Sequence, residues 1–145
     1  MRRLLPLTLA ALLVVAALPI AAGDAPKGGD AAKSPQAAAY LAWVKAVKAG
    51  DIEAWKKTVP AEASLQIEAQ AKEMNKKPKD VIEFFGAMTP DENKITGLKV
   101  DGTKATLSVT GKTKGEPKPS YGKVEMIQEG GAWKVGKQSW SDKAE

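Results

Sequence analysis

The stretch ITGLKVDGTKATLSV, residues 95–109, decides the fold, because two runs of mixed apolar and polar residues flank one turn sequence. Ile95, Leu98 and Val100 lead into Asp101-Gly102, which is typical of a type I′ hairpin turn. The apolar positions of the second run, which alternate with polar ones, are Ala105, Leu107 and Val109. The pattern predicts two antiparallel strands with one buried face.

Two more strands are predicted downstream. Lys114 to Ser120 carries a glycine and two prolines and is predicted to be a loop, whereas Tyr121 to Gln128 returns to strand-like composition. The Glu129-Gly130-Gly131 segment then turns the chain into Ala132 to Ser141. The chain therefore ends in a four-stranded antiparallel meander.

The last predicted strand has a register problem. Trp133 and Val135 share one parity and Trp140 has the other, so they cannot face the same side of a regular strand. Two solutions stay open: a β-bulge near Gly136 that corrects the register, which we favour, or a Trp140 that faces outward.

Two helices are predicted at the start of the domain. Ser34-Pro35 is an N-cap and first-turn pair, and the helix that follows should end near Gly50. Its buried stripe follows the i, i+3, i+4, i+7 spacing and consists of Tyr40, Trp43, Val44 and Val47. Asp51 can cap a second, short helix, with Ile52, Trp55 and Val59 on one face and Pro60 at its end.

A third and a fourth helix complete the first half of the domain. Ala61 to Asn75 has high helix propensity and a thin apolar face formed by Ala63, Ile67, Ala71 and Met74, with Leu65 and Ala69 beside it. The fourth helix, closed by Pro90, is predicted to be the best buried. Its stripe is Val81, Phe84, Phe85 and Met88. Helices followed by a meander predict an α+β fold with the helices packed on one face of the sheet.

The N-terminus has the pattern of a secretory signal peptide, over residues 1–23. A short basic start precedes the apolar run Leu4 to Ala17, and small residues allow cleavage after Ala22 or Gly23. A retained membrane anchor is the alternative, because Leu4 to Ala22 approaches the length that spans a bilayer. We predict cleavage and a periplasmic or secreted protein without a membrane span. A flexible linker is expected over residues 24–33, one domain over 34–141 and a tail over 142–145.

The charge of the processed chain limits its partners. Cleavage removes Arg2 and Arg3 and no acid, which leaves 20 lysines, 17 acids and a net charge of +3. Arginine provides the bidentate fork that reads phosphates and bases, and the processed chain has none, so we expect no nucleic-acid partner. Association of the lysines with an anionic envelope surface remains an alternative function.

Several motifs resemble small exported domains of the nuclear transport factor 2-like superfamily, in particular lumazine-binding-like envelope proteins. They are the capped helix with Tyr40-Leu41-Ala42-Trp43, the turn Gly50 to Trp55, the segment Val100 to Ala105 and the late Gly131 to Val135. The resemblance implies a strongly curved, cone-like sheet with the helices on its concave side and a pocket at the open end. It also implies dimerisation through the sheet, which makes a homodimer one expectation.

The residue inventory argues against common catalytic chemistry. The chain has neither His nor Cys, and no glycine-rich phosphate loop or nucleophile elbow occurs, so we predict no catalytic residue, metal or cofactor. An enzyme of the lyase or isomerase type would need a buried carboxylate, for which Glu83 beside Phe84-Phe85 and Glu125 beside Met126 are the candidates.

Aromatic and methionine side chains are the remaining candidates for a binding site. The residues predicted to line an apolar pocket are Trp43, Phe85, Met88, Tyr121, Met126, Trp133 and Trp140. The competing interpretation is that they form the core, while Tyr121 and Trp140 are expected at a rim or interface. The sequence thus favours a non-catalytic binding module, either for a small apolar ligand in the cone or for an envelope protein at the sheet.

Overall fold

The computed structural model describes residues 28–144, so the predicted signal peptide lies outside the described residues. Five helices precede four strands in the described chain. The helices are α1 (Gly28–Ala31), α2 (Pro35–Ala49), α3 (Ile52–Lys56), α4 (Ala61–Glu73) and α5 (Pro78–Met88). The strands are β1 (Glu92–Asp101), β2 (Lys104–Lys112), β3 (Ser120–Glu129) and β4 (Ala132–Ser141).

The domain begins earlier than predicted. Part of the expected linker forms α1, which lies against β1, and Ala31 is fully buried. The Ser34 hydroxyl donates to the Ala31 carbonyl oxygen at 2.6 Å and also accepts from the Ala37 N–H at 3.1 Å. Ser34 therefore links α1 to α2 and caps α2. The remaining linker residues, 24–27, lie outside the described part of the chain.

The predicted end of α2 and the predicted start of α3 are confirmed, whereas α3 ends at Lys56 and not at Pro60 as predicted. Gly50 terminates α2 in the left-handed conformation at φ 64°, where a glycine lacks the Cβ penalty. The Asp51 side chain then accepts from the Ala54 N–H at 3.0 Å and caps α3. Two helices follow each other this closely because a C-cap glycine and an N-cap aspartate are adjacent.

The predicted buried face of the fourth helix is partly wrong. Phe84 and Met88 are exposed by 61% and 70%, whereas α5 buries Val81, Ile82 and Gly86. An added Cβ at Gly86 would lie only 2.2 Å from the Val47 carbonyl oxygen, so Gly86 is the point at which α5 meets α2. This close approach turns the small residue inward and the two larger side chains outward. Similarly, α4 ends two residues earlier than predicted and leaves Met74 half exposed.

The four strands form one antiparallel sheet in the order β1-β2-β3-β4, as the sequence predicts. The first hairpin pairs Asp101 with Lys104, so its two central residues are Gly102 and Thr103. Only Gly102 has a positive φ, 59°, whereas a type I′ turn needs two such residues. The predicted turn type is therefore wrong here. In the last hairpin, Gly130 and Gly131 both have positive φ, which is the pattern of a type I′ turn.

A β-bulge in β4 resolves the predicted register problem. Val124 pairs with Gln138 and Met126 pairs with Val135, so Gly136 and Lys137 together oppose Glu125. The favoured solution is thus confirmed, and Trp140 shares the inner face with Val135. A second irregularity between Ile95 and Gly97 of β1 likewise puts Ile95 and Leu98 on the same face.

One face of the sheet carries the core. Alternate residues of all four strands are buried there, and α2 packs against β2 and β4 on that side. These buried strand residues are Ile95, Leu98, Ala105, Leu107, Val109, Val124, Met126 and Val135. The chain is therefore an α+β protein in which helices cover one face of a four-stranded antiparallel meander.

Asp91 joins the end of the helical half to the loop after β2. Its carboxylate accepts from the Lys114 N–H at 2.8 Å and pairs with Lys48 Nζ at 3.3 Å. The hydrogen bond from the Lys114 N–H lowers the pKa of the Asp91 carboxyl below its ordinary value, and Lys48 lowers it further. Because the folded-state pKa is depressed, the resulting stabilisation is present above about pH 4 and is lost as the pH falls further.

Substitution of this carboxylate should change the acid stability profile. Asp91→Asn should be less stable than the parent protein at pH 7, and the difference should shrink as the pH is lowered from 4 to 2. Urea unfolding at pH 7, 4 and 2.5 measures it. A difference that stays constant over this range would show that ionisation of Asp91 does not contribute.

Candidate functional site

A groove of about 790 Å³ lies between the helices and the free edge of β4. We call it the α4–β4 groove, because Ala63 and Ile67 of α4 form one wall and residues 135–138 of β4 form the other. β4 is the last strand of the sheet and α4 packs mainly on α5, which leaves the space between them. The other apolar side chains of the lining are Trp43, Trp55, Val59, Pro60, Phe85, Met88, Ile127 and Trp140.

Trp43 is fixed in the floor of the groove by its neighbour on α2. The rings of Tyr40 and Trp43 stack with centroids 6.1 Å apart and planes 12° apart. The Tyr40 hydroxyl donates to Asn93 Oδ1 at 3.1 Å, and the Asn93 amide donates to the Pro90 carbonyl oxygen at 2.9 Å. Burial raises the pKa of the Tyr40 phenol above its ordinary value, so the hydroxyl stays a donor. Trp43 is thereby held on a rigid support.

Trp55 lies on α3, and the two residues that follow α3 by one and two positions accept hydrogen bonds from β4. The Val135 N–H donates to the Thr58 carbonyl oxygen at 2.7 Å, and the Thr58 hydroxyl donates to the Trp55 carbonyl oxygen at 2.7 Å. Lys134 Nζ also donates to the Lys57 carbonyl oxygen at 2.6 Å. These bonds attach the end of α3 to the edge of the sheet and place the 3%-exposed Trp55 in the groove.

Trp140 occupies space that two glycines provide on the inner face of the sheet. An added Cβ at Gly122 would lie 2.8 Å from three ring carbons of Trp140, and one at Gly111 would lie 2.9 Å from Trp140 Cζ3. Any side chain at these positions would displace the ring. The bulge at Gly136 and the glycines at 111 and 122 together bring Trp140 into the groove.

The mouth of the groove is apolar and exposed on the α5 side. Phe85 is half-buried against the core, whereas Met88 is 70% exposed although it lines the groove. Phe84, which is also exposed, lies beside Phe85 with ring centroids 6.5 Å apart. Exposed side chains of this kind next to an apolar groove are characteristic of binding surfaces.

The polar lining of the groove is mostly uncharged. Gln66 and Gln70 lie one turn apart on α4, and Gln138 faces inward from β4. Gln138 Oε1 accepts from Trp140 Nε1 at 3.4 Å. The charged residues, Glu62, Glu125 and Lys137, are all exposed. Gln66 and Gln70 are exposed as well, so the neutral polar residues of the interior are the half-buried Gln138 and the buried Thr89, beside apolar surface.

The structure brings together four of the seven residues that the sequence predicts for the pocket. Trp43, Phe85, Met88 and Trp140 line the groove, whereas Met126 is sealed in the core and Trp133 is half-buried outside the groove. Tyr121 lies on the other face of the sheet. Trp55 also lines the groove, although the seven predicted pocket residues do not include it.

Tyr121 belongs to a second, more polar cavity of about 420 Å³ on the outer face of the sheet. The register aligns Ser108, Lys123 and Ser139 in one row across three strands, and Thr110, Tyr121 and Ser141 in the next. Thr96 and the tail residue Lys143 complete its border. With its hydroxyl groups and lysines, this surface is chemically distinct from the groove.

Neither candidate carboxylate occupies a buried site. Glu83 is exposed on α5 and pairs with Lys79 at 3.3 Å, and Glu125 is exposed on β3 at the border of the groove. Among residues 28–144, no group of three or more acidic, His or Cys side chains is arranged to hold a metal ion. Within the same part of the chain, every helix is too short or too polar to cross a membrane.

No protein-family model matches the chain, and a search of curated proteins finds no similar sequence. The class of protein is therefore defined by the structure itself. It is an α+β domain with a helix-covered meander and a tryptophan-lined groove at the edge of the sheet.

Proposed function

We propose that this protein is a non-catalytic, exported binding module that takes a small apolar ligand in the α4–β4 groove. The observation that carries the proposal is the groove itself, about 790 Å³ in volume, with Trp43, Trp55 and Trp140 converging on it. Clefts that bury small ligands commonly have volumes of about 300–1,000 Å³, apolar walls and few polar groups. The groove matches the volume and the predominantly apolar lining.

The exposed apolar mouth supports ligand binding over a purely structural role. A side chain that only fills the core is expected to be buried, but Met88 combines 70% exposure with a position in the groove lining. Burial of its surface by a ligand would contribute about 25 cal/mol per Å² of apolar area. Burial of the exposed apolar surface at the mouth would therefore contribute to the free energy of ligand binding.

A pair of substitutions tests the proposal with a neutral fluorescent probe, N-phenyl-1-naphthylamine. Met88→Glu puts a charge at the mouth of the groove and should weaken probe binding about tenfold, since desolvation of the carboxylate opposes apolar contact. Leu65→Glu is the matched control, because Leu65 is 66% exposed on α4 and does not line the groove. It should leave the affinity within twofold of the parent value. Equal affinities for all three proteins, or no binding by the parent, would contradict the proposal.

Export is the second part of the proposal and is supported by the sequence pattern of residues 1–23. A processed protein would begin after Ala22 or Gly23, which intact mass measurement of the protein from its native source can establish. A native mass spectrum of the same sample, compared with a denatured one, would also reveal a ligand that stays bound during purification.

A docking site for an envelope protein on the outer face of the sheet remains the second candidate function. The rows of Ser, Thr, Tyr and Lys side chains there favour a polar partner. Enzymatic turnover has less support, because both carboxylates that could serve it are exposed to solvent.

A further inference from the structure

One residue that lines the groove has a buried hydrogen-bond donor without a partner. Trp55 Nε1 is the only buried side-chain nitrogen or oxygen without a hydrogen-bond partner among the described residues. A buried indole N–H usually finds an acceptor, and each exception in a native protein calls for an explanation. Trp140 shows the usual situation in the same groove, since its N–H has Gln138 as a partner.

The charges of the groove limit what could pair with this donor. Glu62 and Glu125 would oppose an anionic ligand, and only Lys137 would favour one. Because all three side chains are exposed, none of them can neutralise a charge that enters the apolar interior. A ligand that reaches Trp55 is therefore best matched when it is uncharged and carries a hydrogen-bond acceptor.

We propose that the ligand of the α4–β4 groove is an uncharged apolar molecule with a carbonyl oxygen that accepts from the Trp55 indole N–H. This inference rests on the proposed function, since it specifies the chemistry of the ligand in the same groove. The N–H is closed to solvent in the free protein, so the ligand must displace the atoms that cover it. Binding then gives the unpaired Trp55 N–H a hydrogen-bond acceptor, so a ligand with the carbonyl group binds more tightly than one without it.

Two small probes of matched size distinguish the contribution of the carbonyl hydrogen bond to affinity from the contribution of apolar contact. Butyrophenone and butylbenzene differ by the replacement of a carbonyl with a methylene group, and both can be titrated by displacement of N-phenyl-1-naphthylamine. Trp55→Phe removes the N–H and keeps an aromatic ring, so it should weaken butyrophenone about tenfold and change butylbenzene by less than twofold. Trp140→Phe is the control, because its N–H is already paired, and it should not alter the ratio of the two affinities.

A spectroscopic measurement on the unmodified protein keeps the test independent of variant folding. In a ¹H–¹⁵N correlation spectrum, butyrophenone should shift the Trp55 indole N–H downfield, and butylbenzene should not. Equal responses to both probes, together with an unchanged affinity ratio in Trp55→Phe, would overturn the carbonyl assignment and leave apolar binding intact. If neither probe nor the fluorophore binds the parent protein, the proposed function itself fails.

Discussion

Replacement of Gly86 by alanine should destabilise the protein by about 3 kcal/mol, although alanine is the better helix former by about 1 kcal/mol. The reason is the contact between α5 and α2, where an added Cβ would lie 2.2 Å from the Val47 carbonyl oxygen and 2.8 Å from the Val47 carbonyl carbon. Backbone atoms cannot rotate away as a flexible side chain does, so the two helices must move apart. That separation would loosen Ile82 and Val47, both of which are fully buried.

Gly97→Ala is the matched control for this prediction. Its added Cβ would lie 3.5 Å from the Ser108 Cβ, which is an ordinary contact distance, and its φ is not positive. Its stability should stay within about 0.5 kcal/mol of the parent protein. Urea unfolding of the two variants gives the comparison, and a Gly86→Ala protein as stable as Gly97→Ala would disprove the tight helix contact.

Ala63→Trp should reduce probe affinity more than thirtyfold, which corresponds to about 2 kcal/mol of binding free energy. Ala63 lies on the wall that α4 contributes to the groove, and its side chain is half-buried there. A tryptophan at this position would fill the space that the ligand needs. Because α4 packs mainly against α5, the helix can adjust to a larger side chain without moving the sheet.

The same substitution on the solvent side of α4 provides the control. Ala69 is exposed and does not line the groove, so Ala69→Trp should leave the probe affinity unchanged. Both affinities can be measured by titration with N-phenyl-1-naphthylamine, and thermal unfolding checks that both variants are folded. Equal loss of affinity in the two variants would place the binding site elsewhere.

The sheet could be predicted from the sequence because its information is local. The period-2 pattern of β2 and the glycine turns predicted the strand order, and the conflicting parity of Val135 and Trp140 predicted the bulge at Gly136. The turn at Gly102 was predicted with the wrong type, because Asp-Gly indicates a turn more reliably than it determines the two central residues.

The inward face of α5 and the groove could not be predicted, because both depend on contacts between distant segments. Helical spacing favours Phe84 and Met88 as buried residues, but the approach of Gly86 to Val47 turns them outward. The groove is a gap between α4 and β4, and a local sequence pattern does not predict a space between two distant segments. Trp55 illustrates this, since a core position and a groove position require the same helical spacing.

The edge strand β4 also has a consequence for the behaviour of the protein at high concentration. An exposed, regular edge can template strand addition by another chain and so nucleate aggregates. Here the bulge at Gly136 interrupts the ladder, Thr58 already occupies the Val135 N–H, and Lys134 and Lys137 would bring charge against an incoming strand. The features that shape the groove thus also protect the β4 edge of the sheet from strand addition by another chain.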